Sequence, residues 1–149
     1  MSSSPPQDVT LDDPFRLSRF VEAQDGCYER VLAELRRGRK TSHWMWFVFP
    51  QIAGLGSSAT AQQYAISSAA EARAYLRHPV LGPRLLECAS AVAAHHDATA
   101  DDVFGAVDAL KLRSCMTLFR HVDPDQAVFG RVLDLFFDSA PDPQTLRRL

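Results

Sequence analysis

The sequence predicts an all-α fold: a compact single-domain bundle of about six to eight helices with one irregular, buried aromatic segment. Three observations carry that prediction. Helix-start signals recur along the chain, as Asp13-Pro14, Ser58, Ser68-x-x-Glu71, Thr99-x-x-Asp102 and Asp123-Pro124. Between them apolar residues return every three or four positions, the period of one helix face. Stretches of strict alternation, the mark of a half-buried strand, are almost absent. The 149 residues fit one domain, and 46% apolar with 23% charged residues is an ordinary globular balance. At this size folding buries roughly 70% of the extended chain's surface, enough for a core without disulfide or metal staples.

Residues 1–11, which include Ser2-Ser3-Ser4-Pro5-Pro6, read as a disordered tail, leaving 12–149 as the helical domain. Asp13 as N-cap and Pro14 in the first turn open a helix that runs to about Arg37 and stops at Gly38. Leu17, Phe20, Val21, Cys27, Tyr28, Val31, Leu32 and Leu35 fall on one arc of it, with Gln24 near the middle. The segment 43–49 is too rich in bulky rings to float free, and reads as a short extended piece or irregular turn pressed against helices. Ser58 caps a short helix over 59–66. Ser68 and Glu71 form a capping box for a helix ending before His78-Pro79. The next helix spans 80–96 with Leu81, Leu85, Cys88, Ala89 and Val92 on one side, and Thr99 with Asp102 caps a turn through Phe104. A helix over 108–121 follows. Asp123-Pro124 then caps the last long one, which carries Val128, Val132, Leu135 and Phe136 and ends near Asp138. Pro141 to Leu149 is a short tail with room for one more turn, and no internal repeat is visible.

The net charge of −2 argues against general electrostatic binding of nucleic acid. The basic run Arg36-Arg37-Gly38-Arg39-Lys40 falls at a helix C-terminus, which attracts cations in any case. Cys27, Cys88 and Cys115 are odd in number and widely spaced within helical stretches, so they read as reduced core thiols. There is no Cys-x-x-Cys pair and no paired-histidine metal motif, and the adjacent His95 and His96 point about 100° apart on a helix. Neither a metal nor a cofactor is therefore expected. No signal pattern opens the chain and no run nears membrane-spanning length, so the expected location is the cytoplasm, with no membrane partner. The oligomeric state is left open.

The densest chemistry lies in His43-Trp44-Met45-Trp46-Phe47-Val48-Phe49-Pro50-Gln51, which holds both tryptophans. The rings either complete a small core or line a slot that stacks a flat ligand. Gly54-Leu55-Gly56-Ser57-Ser58 runs straight into a helix start, where backbone N–H groups attract phosphate or carboxylate, although an ordinary capped turn reads the same way. Pro50 and the two glycines permit a reversal, so the aromatic segment and this turn are expected to form two walls of one cleft. On a wheel of residues 107–122, Lys111 falls near the centre of an apolar arc of Val107, Leu112, Cys115, Met116, Leu118, Phe119 and Val122. Ala109, Arg113, Thr117 and Arg120 fall on the solvent side. An inward lysine costs several kcal/mol unless paired. It either pairs with Asp108, one turn earlier, or presents a cation to a pocket. Gln24 and Ser114 are likewise polar residues on inward faces, bonded either to backbone or to a ligand.

The chain resembles a bacterial family known as domain of unknown function 1810, sometimes mislabelled calpastatin. The likeness rests on Arg19-Phe20-Val21-Glu22-Ala23-Gln24, Gly38-x-Lys40-x-x-His43 continuing through Gln51, Gly54-Leu55-Gly56-Ser57-Ser58 and Tyr64-Ala65-Ile66-Ser67. It continues through Glu71-Ala72-x-Ala74-Tyr75-Leu76-x-His78-Pro79, Leu81-Gly82-x-Arg84-Leu85, Asp108-x-x-Lys111-Leu112-x-Ser114-x-Met116-Thr117-Leu118-Phe119 and Asp142-x-x-Thr145-Leu146. It covers residues 14–149, with departures at Cys115 and at Ser139-Ala140. The resemblance implies a compact helical domain and brings no established reaction. A fainter likeness to the NADAR hydrolases, which act on ADP-ribose-linked substrates, carries over no catalytic residue.

Two functions are compatible with these residues. In the first, the protein binds a small anionic, nucleotide-like or ADP-ribose-like molecule. Trp44 or Trp46 stacks the ring, Gly54, Gly56, Ser57 and Ser58 with Lys111 or Arg84 hold phosphate, and Gln24, His43, Gln51, Tyr64 and Ser114 complete the site. Glu71 or Asp108 then supplies a carboxylate for N-glycosidic hydrolysis, by activating water or stabilising an oxocarbenium-like transition state. In the second, the domain is a non-catalytic module that binds a partner protein, and the same polar residues are structural.

Overall fold

The computed structural model describes residues 13–149, so the tail expected over 1–11 lies outside the described residues. Ten helices and no strand occur among them: α1 (Ser18–Asp25), α2 (Tyr28–Arg37), α3 (Met45–Val48), α4 (Ala59–Gln63), α5 (Ala69–Arg77), α6 (Leu81–Ala93), α7 (Ala100–Phe104), α8 (Ala106–Val122), α9 (Ala127–Phe136) and α10 (Pro143–Arg147). The all-α class stands, and two features raise the count above six to eight. The aromatic segment contains a single helical turn, α3. The helix expected over 13–37 is divided, because Gly26 and Cys27, whose φ is −143°, interrupt it between α1 and α2.

The start of that helix also differs. The Asp13 carboxylate accepts the N–H groups of Leu17 (2.6 Å) and Ser18 (3.0 Å), but Arg16 has φ +52°, so Asp13 caps a turn and regular helix begins at Ser18. Its far end is as expected: Gly38, at φ +76°, closes α2 by donating to the Glu34 and Leu35 carbonyls. Thr99 and Asp102 form the full reciprocal box at α7. Ser68 Oγ accepts the Glu71 N–H (3.2 Å), but Glu71 does not reciprocate; its carboxylate takes the Ser67 N–H (2.8 Å) and hydroxyl (2.7 Å) instead. The last long helix has Gln126, not Asp123, at its N-cap.

The core is organised by α8, which packs against α5, α7, α9 and α10, while α6 packs against α2, α5 and α9. Tyr75 on α5 meets Phe20 edge-on at 5.1 Å between centroids and Phe119 at 5.4 Å, and Phe119 meets Phe129 at 5.9 Å, tying four helices through ring contacts. Trp44, Phe49 and Phe104 form a second group. The predicted wheel of α8 is off at both flanks: Ala109 and Thr117 are buried, whereas Val107 is 69% exposed. For Thr117 the reason is the C-terminal segment. Arg113 donates to the Ala140 and Pro141 carbonyls (2.9 Å each), and the Asp142 N–H donates to Thr117 Oγ1 (2.9 Å), so residues 140–142 cover the side that the wheel left to water. Leu135, expected inward, is 38% exposed.

Candidate functional site

The aromatic segment is pinned from below by Glu34, which is 1% exposed. Its carboxylate accepts the N–H groups of Thr41 (2.8 Å) and Ser42 (3.1 Å), the Ser42 hydroxyl and the Trp44 indole N–H (3.0 Å). Burial alone would raise the Glu34 pKa; the bonds from Ser42, Thr41 and Trp44 outweigh it and hold the carboxyl at about 2. Sequence reasoning missed Glu34, although its place between Leu32 and Leu35 on an apolar face was the same kind of signal that drew attention to Gln24.

This anchoring separates the two tryptophans. Trp44 is 1% exposed, bonded to Glu34 and packed on Phe49 and Phe104, so the expectation that it stacks a ligand is overturned. Trp46, two residues on, is only half-buried and opens into a cleft of about 480 Å³. Gln51, the turn residues Gly56, Ser57 and Ser58, and Lys111 with Ser114 from α8 share that cleft. A smaller hollow of about 120 Å³ adjoins it through Trp46, Gln51 and Gly56, and adds Gly54 and Tyr64. Two chain reversals bring these residues together. Ile66 N–H donates to the Gln51 carbonyl and Ala53 N–H to the Ile66 carbonyl (2.8 Å each), closing the loop that carries the glycine turn. Gly54 has φ +97°, and Arg148 Nε lies 2.8 Å from where a Cβ would stand.

Within the cleft, Lys111 Nζ bonds Asp108 Oδ1 (3.0 Å) and stands 5.2 Å from the centroid of the Trp46 ring. Its side chain is 20% exposed, so the lysine edges the cleft and does not enter the core as the wheel had it. Neither the Trp46 indole N–H nor the Gln51 side-chain amide has a hydrogen-bond partner among the described residues. Ser114 is committed, its hydroxyl shared between the Leu110 carbonyl and Asp142 Oδ2 (3.1 Å each). The anion-binding capacity expected of the glycine turn is reduced: α4 is one turn long, and Ser58 already takes the Ala61 and Gln62 N–H groups.

Four other predicted residues lie outside the cleft, and Asp108 is adjacent but committed. Gln24 is buried, donating to the Phe47 carbonyl (2.7 Å) and the Tyr75 hydroxyl (3.1 Å). Arg84 bonds Asp25 and Gln24 and stacks 4.7 Å over Tyr28. His43 is exposed and lines no part of the cleft. Glu71 is 2% exposed and paired with Arg19 (3.0 Å). Asp108 lies against Lys111 but is held by two lysines, Lys40 (2.8 Å) and Lys111. Burial pushes the Asp108 pKa up, and hydrogen bonds from the two lysines bring it below the usual carboxylate value. Residues not singled out from sequence also line or brace the cleft: Arg113, Asp142 and Gln144 in its wall, and Arg148, which donates to the Gly54 carbonyl (3.3 Å). A larger groove of about 800 Å³ between α1 and α5 holds none of the predicted site residues.

A family profile described as protein of unknown function (DUF1810) matches residues 14–149. The chain belongs to DUF1810. A solved structure, the conserved hypothetical protein Rv1873 from Mycobacterium tuberculosis, is 48% identical to it. The match covers 92% of this chain and 98% of that one, with a TM-score of 0.91. Among curated proteins nothing matches. Among the described residues of this DUF1810 chain no group of three or more His, Cys, Asp or Glu is placed to hold a metal ion, and no helix is long and apolar enough to cross a membrane.

Proposed function

We propose that this protein binds a small, flat, anionic molecule of nucleotide-like character in the cleft between Trp46, Gln51, the Gly54–Ser58 turn and the Lys111 side of α8. One observation carries the reading: a half-buried indole and a lysine ammonium share an open cleft at 5.2 Å, beside an amide and an indole N–H that lack partners among the described residues. The indole supplies a stacking face, Lys111 a charge, and the free donors fix orientation. Hydrolysis is the weaker part of the earlier expectation. Glu71 is sealed against Arg19 and Ser67, Asp108 is tied to two lysines, and Asp142 is occupied by Thr145 and Ser114. Among the described residues no carboxylate in or beside the wall is left without a partner to activate water, so the cleft reads as a binding site.

The test is a thermal-shift screen with adenosine, AMP, ADP and ADP-ribose at millimolar concentration, since a ligand of the native state raises the melting temperature. At least one anionic member is expected to do so. Lys111→Met is expected to weaken its binding roughly fivefold, the effect of losing one charge contact of about 1 kcal/mol. Trp46→Leu should cost roughly fivefold or more, as base stacking is worth roughly 1–3 kcal/mol. Silence across the whole panel, or unchanged affinity in Lys111→Met, overturns the proposal.

One observation favours a partner protein instead. Val107 and Leu110, 69% and 63% exposed, sit on the same wall of the cleft. If Val107→Ser with Leu110→Ser abolishes self-association in solution while leaving ligand binding intact, the rim serves a protein contact and the cleft a separate one.

A further inference from the structure

We infer that Lys40, buried behind the cleft and lining no part of it, keeps the cleft electropositive by holding the Asp108 carboxylate. The inference extends the proposed anion-binding reading by naming what sets the charge of that site. Asp108 is the partner of Lys111, and a single Asp–Lys pair would present almost no net charge to a ligand. Asp108 is not free to neutralise Lys111 alone. Its Oδ2 accepts from Lys40 Nζ at 2.8 Å and its Oδ1 from Lys111 Nζ at 3.0 Å, so two cations share one anion and the group carries +1. The Lys40 side chain is 7% exposed, so its charge is weakly screened by water and salt.

The geometry repeats on both sides of Asp108. Lys40 Nζ lies 5.1 Å from the Trp44 ring and Lys111 Nζ 5.2 Å from the Trp46 ring. The two tryptophans alternate between core and cleft, and the two lysines alternate with them: an inner pair that is buried, and an outer pair that meets solvent. Ring faces stabilise both ammonium groups, which makes a second buried cation tolerable where a lone one would not be. The Lys40 N–H is tied to the Val103 carbonyl (2.8 Å), which fixes the residue at the base of α7 and aims its side chain at α8. The remaining charges in the wall cancel: Arg113 is committed to two carbonyls and Asp142 to Ser114 and Thr145. Arg148, on the Gly54 carbonyl, adds a cation at the Gly54 side of the turn; at the Lys111 side the excess charge traces to Lys40.

The charge can be read without any ligand. The protein has two tryptophans, and Trp44 is 1% exposed, so emission open to a collisional quencher comes from Trp46. Quenching by iodide reports the local potential, and quenching by neutral acrylamide corrects for access. At low ionic strength Lys40→Met is expected to lower the iodide-to-acrylamide ratio roughly twofold, as does Lys111→Met, and Asp108→Asn to raise it roughly twofold. Lys40→Arg should restore the wild-type ratio. A circular-dichroism melt establishes that each variant is folded; if Lys40→Met does not fold, the opposite shift in Asp108→Asn decides. A Lys40→Met ratio equal to wild type beside a lowered Lys111→Met ratio overturns the inference, as does a fall in Asp108→Asn. A silent ligand screen with the expected quenching pattern sinks the binding proposal alone.

Discussion

Gly82→Ala is expected to destabilise the protein by roughly 3 kcal/mol or more, and Gly130→Ala to leave it as stable or slightly more so. Gly130 lies inside α9, where alanine is intrinsically better by about 1 kcal/mol, and Gly82 is the second residue of α6. Space decides the sign. A Cβ on Gly82 would stand 2.1 Å from the Leu76 carbonyl oxygen and 3.0 Å from its carbon, both backbone atoms that cannot rotate away. The His78-Pro79 corner folds α6 back so tightly on the end of α5 that only a hydrogen fits there, and Leu81 and Leu85 are buried by that approach. A Cβ on Gly130 meets the Arg120 side chain at 3.5 Å, an ordinary contact with a flexible group. Urea unfolding of the two variants checks the pair. A Gly82→Ala protein within about 0.5 kcal/mol of wild type would show that α5 and α6 separate cheaply, contrary to close packing.

Ser58 and the Thr99–Asp102 box were legible in the sequence because their interactions are local. Ser58, Thr99 and Asp102 bond N–H groups three residues away, whatever the rest of the chain does. The register of α8 was not legible for the opposite reason. Its apparent solvent face is covered by residues 140–142, which arrive from about 27 positions later in the chain through Arg113 and Thr117. Periodicity records which face is apolar; it does not record that a polar face is sealed by backbone carbonyls. The cleft shows the same division. Pro50 and the glycines announced a reversal, and the structure places Gly56 to Ser58 against Trp46. Which tryptophan would face it depended on Glu34, a tertiary anchor on another helix. Glu71 and Asp108 looked like candidate acids because a free and an ion-paired carboxylate are the same letter in a sequence; their partners, Arg19 and Lys40, lie 52 and 68 residues away.

Stability is expected to fall steeply in acid through Glu34. Its carboxyl titrates at about 2 in the folded protein and ordinarily at 4.5. Between those values the unfolded chain binds the proton and the folded protein does not, so stability rises with pH there. The contribution is complete above about pH 4.5, and it is lost as pH falls toward 2. A gap of that size corresponds to about 3 kcal/mol, of which roughly 2 kcal/mol is gone at pH 3. Asp13, Asp108 and Asp142 are also lowered and add to the acid sensitivity, so the wild-type curve alone cannot isolate Glu34. Glu34→Gln does isolate it. The amide oxygen still accepts from Trp44 and the loop N–H groups, so the cost at pH 7 is about 1–2 kcal/mol, the loss of charge assistance. Its stability should then decline less from pH 6 to pH 3 than that of wild type, by roughly 2 kcal/mol. Glu34→Ala removes every acceptor and strands the buried Trp44 N–H with the Thr41 and Ser42 amides, so a cost of about 4 kcal/mol is expected, with red-shifted Trp44 emission as the indole meets water. Urea titrations at pH 7 and pH 3 measure all three proteins. Equal losses in wild type and Glu34→Gln would mean that the carboxyl is already protonated in the folded state near pH 4. Its four hydrogen bonds argue against that, because three of the donors are backbone or indole N–H groups that a protonated oxygen accepts from more weakly.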